Sequence, residues 1–464
     1  MGRHTGECAV MRVERWRLAG LIGAGVVALA LLLSMCGFPS GGWRDDSRGP
    51  GEVYGTPRMP GAPPRPELGW GFTHTQLSAD EGEKQARERA ADALSQRSLP
   101  QNQHIMGWGA DNPEPSPGRY DFTALDSRIE LVRRTGGTPV ITLCCAPDWM
   151  KGGSEGTTDW SKLETAPSRA HYKDFARLAG KVAERYPDVR HFIVWNEFKG
   201  FFDDRKKRWD YEGYTELYNL VYDELKRVRE DNLVGGPYVV MDSVASADSD
   251  HASAVSGDWG SIDQRALDAV TYWNQHKRGA DFVVIDGASY TKDQRLLPDE
   301  FAATEKFTAA SRWVRKETGL PLWWAEWYVE LSDENDQRDG WSERHRLAVH
   351  ATGMIAMARG GAGTGFYWNP QRKGEECAGC LWRSTHLPDG GRKLPILELL
   401  SRFGEAFPPG TRHERVPVSG DDRVRLLASA EAILVVNPHD RPVQVTVDGQ
   451  SIELTGYEVR WLRR

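Results

Sequence analysis

From Gly69 onward, short apolar runs alternate with longer stretches of helical periodicity. The runs are Trp70 to Thr75, His104 to Trp108, Pro139 to Cys145, His191 to Trp195, Leu233 to Val240, Asp281 to Ile285, Leu322 to Trp327 and Gly365 to Trp368. Each has the length and the β-branched or aromatic content of a buried strand. Between them, Phe175, Leu178, Ala179 and Val182 share one helical face, as do Leu217, Val221, Leu225 and Val228. Strand and helix alternate throughout, which builds parallel sheets through right-handed crossovers. Eight such units predict an α/β fold, a (β/α)8 TIM barrel over residues 69–410. An open doubly wound sheet would want a nucleotide-type glycine loop after the first strand, and GFTHTQLSADEG supplies none. The glycine-rich GGAGTG at Gly360 to Gly365 follows a helix and precedes a strand, so it is read as a turn.

The pattern changes at both ends. After a last helix at Pro395 to Phe407, the runs RVRLLASA, AILVVNPHD, PVQVTVDG and YEVRWLRR alternate with period two and predict a small C-terminal antiparallel β domain over 411–464. At the other end, Leu18 to Phe38 is uncharged for 21 residues. As a helix this is about 32 Å, enough to cross a bilayer core. Arg3, Arg12, Arg15 and Arg17 precede it, which orients the N-terminus inward and the rest outward. Residues 1–38 are therefore read as a transmembrane signal-anchor or a cleaved or lipidated signal segment, and the Pro/Gly-rich stretch 39–68 as a linker. The expected location is the cell membrane with an extracellular domain, or secretion.

Composition removes several functions. The 59 Lys and Arg against 66 Asp and Glu leave no basic block to track a phosphate backbone, which argues against nucleic acid as partner. No HExxH, GxSxG or phosphate-binding lysine loop occurs. The six cysteines are too few for a disulfide scaffold; Cys377 and Cys380 are read as a small-loop disulfide or two free thiols, and Cys144 and Cys145 as strand residues. No metal or other cofactor is called for. The 18 Trp suit the flat faces of sugar rings as well as ordinary cores.

Catalytic side chains of a TIM barrel come from the carboxyl ends of its strands. That rim would carry His74 after the first strand, Trp108 after the second, Asp148 and Trp149 after the third, and Asn196 and Glu197 after the fourth. It continues with Tyr290 after the sixth strand, Glu326 on the seventh, and Trp368 and Asn369 on the eighth. Two carboxylates amid aromatics and amides point to glycoside hydrolysis. One acid protonates the leaving oxygen and the other acts at the anomeric carbon, roughly 5 to 5.5 Å away when configuration is retained.

The Trp195-Asn196-Glu197 run, with a second glutamate 129 positions later, resembles clan A of the glycoside hydrolases, most nearly the β-xylosidase-like family 39. PGRYDFTALDSRIELVRRTGGTPVITL and APDWM add to the likeness, which extends from about Gly69 to Arg464. The resemblance implies Glu197 as acid/base and Glu326 as nucleophile. It further implies Asn196 on the sugar 2-hydroxyl, Tyr290 as hydroxyl donor to the nucleophile, Trp149 and Trp368 against the sugar, and His74 on its hydroxyls. Where the family tends to continue with Pro-Asn, this chain has Phe198 and Lys199; where a histidine usually lies near the sixth-strand tyrosine, this chain reads DGASY. The expected function is a retaining hydrolase of an extracellular or cell-surface polysaccharide or oligosaccharide. A transglycosylase with the same residues and a noncatalytic carbohydrate-binding protein are the alternatives.

Overall fold

A computed structural model describes residues 65–464 except 246–248, 332–339, 369–370, 373 and 375–376. The expected membrane or signal segment, most of the linker, and Asn369 lie outside the described residues. Among those described, no helix is long and apolar enough to cross a membrane.

Eight parallel strands close into a barrel in chain order. They run Gly69–Thr73, Pro100–His104, Thr138–Leu143, His191–Val194, Leu233–Val240, Phe282–Ala288, Leu322–Tyr328 and Ala362–Trp368. Closure comes from the first strand pairing with the eighth, Gly69 opposite Thr364 and Thr73 opposite Trp368. Val140, Ile193, Tyr238, Phe282, Val284, Trp323, Ala325 and Phe366 fill the interior. Outside it, helix Tyr172–Arg185 buries Phe175, Leu178, Ala179 and Val182, and helix Tyr211–Val228 buries Leu217, Val221 and Leu225, the faces their periodicity predicts. Of the GGAGTG segment only Gly361, at φ 93°, turns the chain: Gly360 ends helix Glu343–Gly360, and Ala362 to Gly365 already belong to the eighth strand.

Three strands differ from expectation by three residues or more, the eighth by beginning at Ala362 instead of Gly365. The second is Pro100–His104, not His104 to Trp108, so His104 ends the strand instead of beginning it. Its inward and outward positions are polar and wholly buried, which hides it from an apolar pattern. Polar partners satisfy them: Asn102 Nδ2 donates to Thr73 Oγ1 (3.1 Å), Thr142 Oγ1 donates to Asn102 Oδ1 (2.9 Å), and Arg128 donates to Gln103 Oε1 (3.0 Å). The sixth strand extends through Ala288 instead of stopping at Ile285. Its register shifts against both neighbours around Ile285, and Asp286 is thereby set opposite Glu326.

The C-terminal strands form two three-stranded sheets, antiparallel throughout. Ile433 and Val435 face Val443, Val445 and Val447 of the other sheet, while the alternate residues Leu434 and Val436 join the barrel's outer core. Helix Glu343–Gly360 is consequently buried on nearly every side, and Arg359 donates to the Leu426 carbonyl at 2.7 Å. Cys377 is disulfide-bonded to Cys380, and Cys144 and Cys145, just past the third strand and fully buried, are bonded to each other.

Candidate active site

The fourth strand ends in a strained turn. Trp195 and Glu197 hold φ of 68° and 49°, left-handed values that side chains other than glycine rarely adopt. Packing holds the turn in place: the Trp195 indole N–H donates to the Lys199 carbonyl at 2.8 Å, and Phe198 lies 4.2 Å from the Tyr214 ring. The Tyr214 hydroxyl in turn donates to the Val194 carbonyl. Strain of this kind concentrates at functional sites, and here it aims the Glu197 carboxylate along the barrel rim.

Glu197, Asp286 and Glu326 converge there, with one oxygen of each within 4.8 Å of the others. Glu326 is buried and receives two hydroxyls, Tyr238 Oη at 2.5 Å on Oε1 and Tyr328 Oη on Oε2. Burial, then the charge on Glu197, push its pKa up to about 7, against the opposing pull of Lys199 and both tyrosines. Asp286 is fully enclosed, and burial followed by the Glu197 carboxylate raises its pKa well above the ordinary carboxylate range. Lys199 Nζ lies 2.9 Å from Glu197 and 2.7 Å from Glu164. Burial alone would discharge it, but the carboxylates of Glu197, Glu164 and Glu326 outweigh that and raise its pKa. The Lys199 ammonium also sits 5.0 Å above the Trp108 ring, a cation–π distance.

Aromatic rings wall one side. His104 is 4.7 Å from Trp108 and 6.2 Å from Trp368, and Trp108 is 6.4 Å from Trp368. Burial and the Lys199 charge lower the His104 pKa to about 3, so the ring is neutral. Asn196 lies beside it, fully buried, and its Oδ1 has no hydrogen-bond partner among the described residues.

The other expected site residues are placed less centrally. Trp149 is nearly enclosed on the short helix Asp148–Lys151 and donates its N–H to the Glu114 carbonyl at 2.9 Å. Tyr290 is buried just past the sixth strand, its carbonyl receiving Lys306 Nζ at 3.3 Å. His74 is fully buried, with Nδ1 2.7 Å from Ser78 Oγ and Nε2 2.9 Å from Gln101 Oε1. Both ring nitrogens are engaged inside the protein, so His74 braces the first strand where a contact with a sugar hydroxyl was expected. Asp286, Tyr238, Tyr328, Lys199 and Glu164 were not foreseen as site residues. Tyr238 sits inside a run that reads as ordinary strand filling, and the bulge that aims Asp286 leaves no mark in hydrophobic pattern.

No protein-family model matches the chain, and no curated protein sequence matches it. Solved structures do. A monomeric β-xylosidase from Caulobacter crescentus is 18% identical over 81% of this chain and 74% of its own, with a TM-score of 0.51. A family 39 glycoside hydrolase from Bacteroides cellulosilyticus is 14% identical over 85% and 78%, with a TM-score of 0.52. A family 30 endoxylanase from Clostridium papyrosolvens is 10% identical over 86% and 97%, with a TM-score of 0.51. The chain has their fold.

Proposed function

We propose that the protein is a retaining glycoside hydrolase, with Glu197 as acid/base and Glu326 as nucleophile. The observation that carries this is the approach of the two carboxylates to within 4.8 Å on one rim. That is the spacing of direct attack on the anomeric carbon; the roughly 6.5–9.5 Å of inverting enzymes leaves room for a water instead. Glu326 attacks and forms the glycosyl ester while the Tyr238 and Tyr328 hydroxyls orient it. Glu197 protonates the leaving oxygen and then deprotonates the incoming water. Asn196 Oδ1 accepts from a sugar hydroxyl, and Trp108 and Trp368 present flat faces to the ring. Structural neighbours named for xylosidase and xylanase make xylose-containing glycans the first substrates to screen.

The uncharged Leu18–Phe38 and its basic flank support export with membrane attachment. The test is turnover of a glycan identified by depolymerisation screening. Glu197→Gln and Glu326→Gln each lower it at least about a hundredfold, the ordinary scale for losing such a group. Turnover unchanged in both variants contradicts the assignment.

A further inference from the structure

A third carboxylate belongs to the reaction. We propose that Asp286 is a positioning residue that stores the catalytic proton and delivers it through Glu197, and this rests on Glu197 and Glu326 being acid/base and nucleophile. Three observations carry it. The bulge at Ile285 sets Asp286 opposite Glu326 in the sheet, within 4.8 Å of both glutamates. Lys199 holds Glu197 at 2.9 Å, and two tyrosine hydroxyls hold Glu326, so both glutamates have donors that stabilise negative charge. Around Asp286 the largest effects are burial and the Glu197 carboxylate beside it, and a group so placed is the one that keeps a proton. The charged and titratable groups facing it are Glu197, Glu326, Asp242, Tyr238 and, from helix Glu305–Thr318, Lys306.

The cluster then keeps two negative charges at every stage. At rest Asp286 is protonated and both glutamates are ionised. As substrate binds, the proton moves from Asp286 to Glu197, leaving Asp286 and Glu326 ionised. Glu326 forms its bond to the anomeric carbon while the leaving oxygen takes the Glu197 proton, so the ester replaces one charge and Glu197 regains another. In the second half Glu197 removes a proton from water, the hydroxyl displaces Glu326, and the proton returns to Asp286.

Asp286→Asn tests this, using aryl β-glycosides bearing a phenyl or a 2,4-dinitrophenyl leaving group. Loss of the stored proton moves the alkaline limb of kcat/KM down by at least about one pH unit. It also slows the phenyl glycoside at least about tenfold more than the dinitrophenyl one, which leaves without protonation. An unchanged limb, or an equal loss for both leaving groups with the profile's shape retained, overturns the proposal. Wild-type protein gives a second readout independent of that variant's folding. Infrared difference spectra show a protonated carboxyl band at neutral pH that vanishes when a 2-fluoroglycosyl-enzyme forms; absence of the band, or its persistence, also overturns it. Glu326→Gln separates the two levels. If that variant is inactive while Asp286→Asn keeps the wild-type profile, the relay alone fails; if it is active, the underlying assignment fails and the relay with it.

Discussion

At the scale of single residues, the proposed nucleophile Glu326 has to be ionised to attack, yet its surroundings push its pKa up to about 7. As pH falls through that value the carboxylate takes up a proton, so kcat/KM of the free enzyme declines below about pH 7; a pH–rate profile checks this. The Tyr238 hydroxyl stabilises the ionised form, and Tyr238→Phe removes one of its two donors. The acid limb of that variant moves to higher pH and kcat falls by about tenfold, the scale of one lost hydrogen bond to a charged group. Glu197 was legible as a rim residue because it follows an apolar run, and Glu326 because it interrupts one near its carboxyl end, in a chain of alternating strands and helices. Asp286 and Tyr238 were not, since their placement depends on register.

At the scale of elements, the alternation of runs predicted the number and order of the barrel strands, and single-face periodicity predicted helices Tyr172–Arg185 and Tyr211–Val228. The second strand escaped because its side chains are polar and satisfy one another in the interior. Asn102 links the first and third strands through Thr73 and Thr142. Asn102→Ala takes the acceptor from the Thr142 hydroxyl, while Thr73 Oγ1 keeps the Ala325 carbonyl, and lowers stability by roughly 1–3 kcal/mol, measured by denaturant unfolding. The hairpin between Phe202 and Trp209 follows the turn that carries Glu197, with Phe202 40% exposed and packed edge-on against Trp209. Phe202→Ala raises KM for a hexasaccharide while leaving aryl glycosides unaffected, because only the longer chain reaches that far.

At the scale of the whole molecule, buried groups set opposing dependences of stability on pH. His74 and His104 have folded pKa values lowered to about 3 from 6.5, so the unfolded chain binds more protons between those values. Their contribution is complete above pH 6.5 and is lost as pH falls toward 3. Glu326 and Asp286 are raised instead, so they favour the folded state at low pH and oppose it as pH rises through about 7. Above about pH 6.5 the histidines no longer change while Glu326 still loses its proton in the folded state alone, so the melting temperature falls as pH rises through about 7. In Glu326→Gln the decline is smaller, and at pH 8 that variant melts several degrees above wild type; thermal scans across pH check both statements. Trapping the intermediate tests the central claim most directly. Incubation with a 2-deoxy-2-fluoro glycoside carrying a dinitrophenyl leaving group, followed by peptide mass spectrometry, places a glycosyl ester on Glu326; an ester on Glu197 or Asp286, or turnover of the parent glycoside with no trapped ester, contradicts the account.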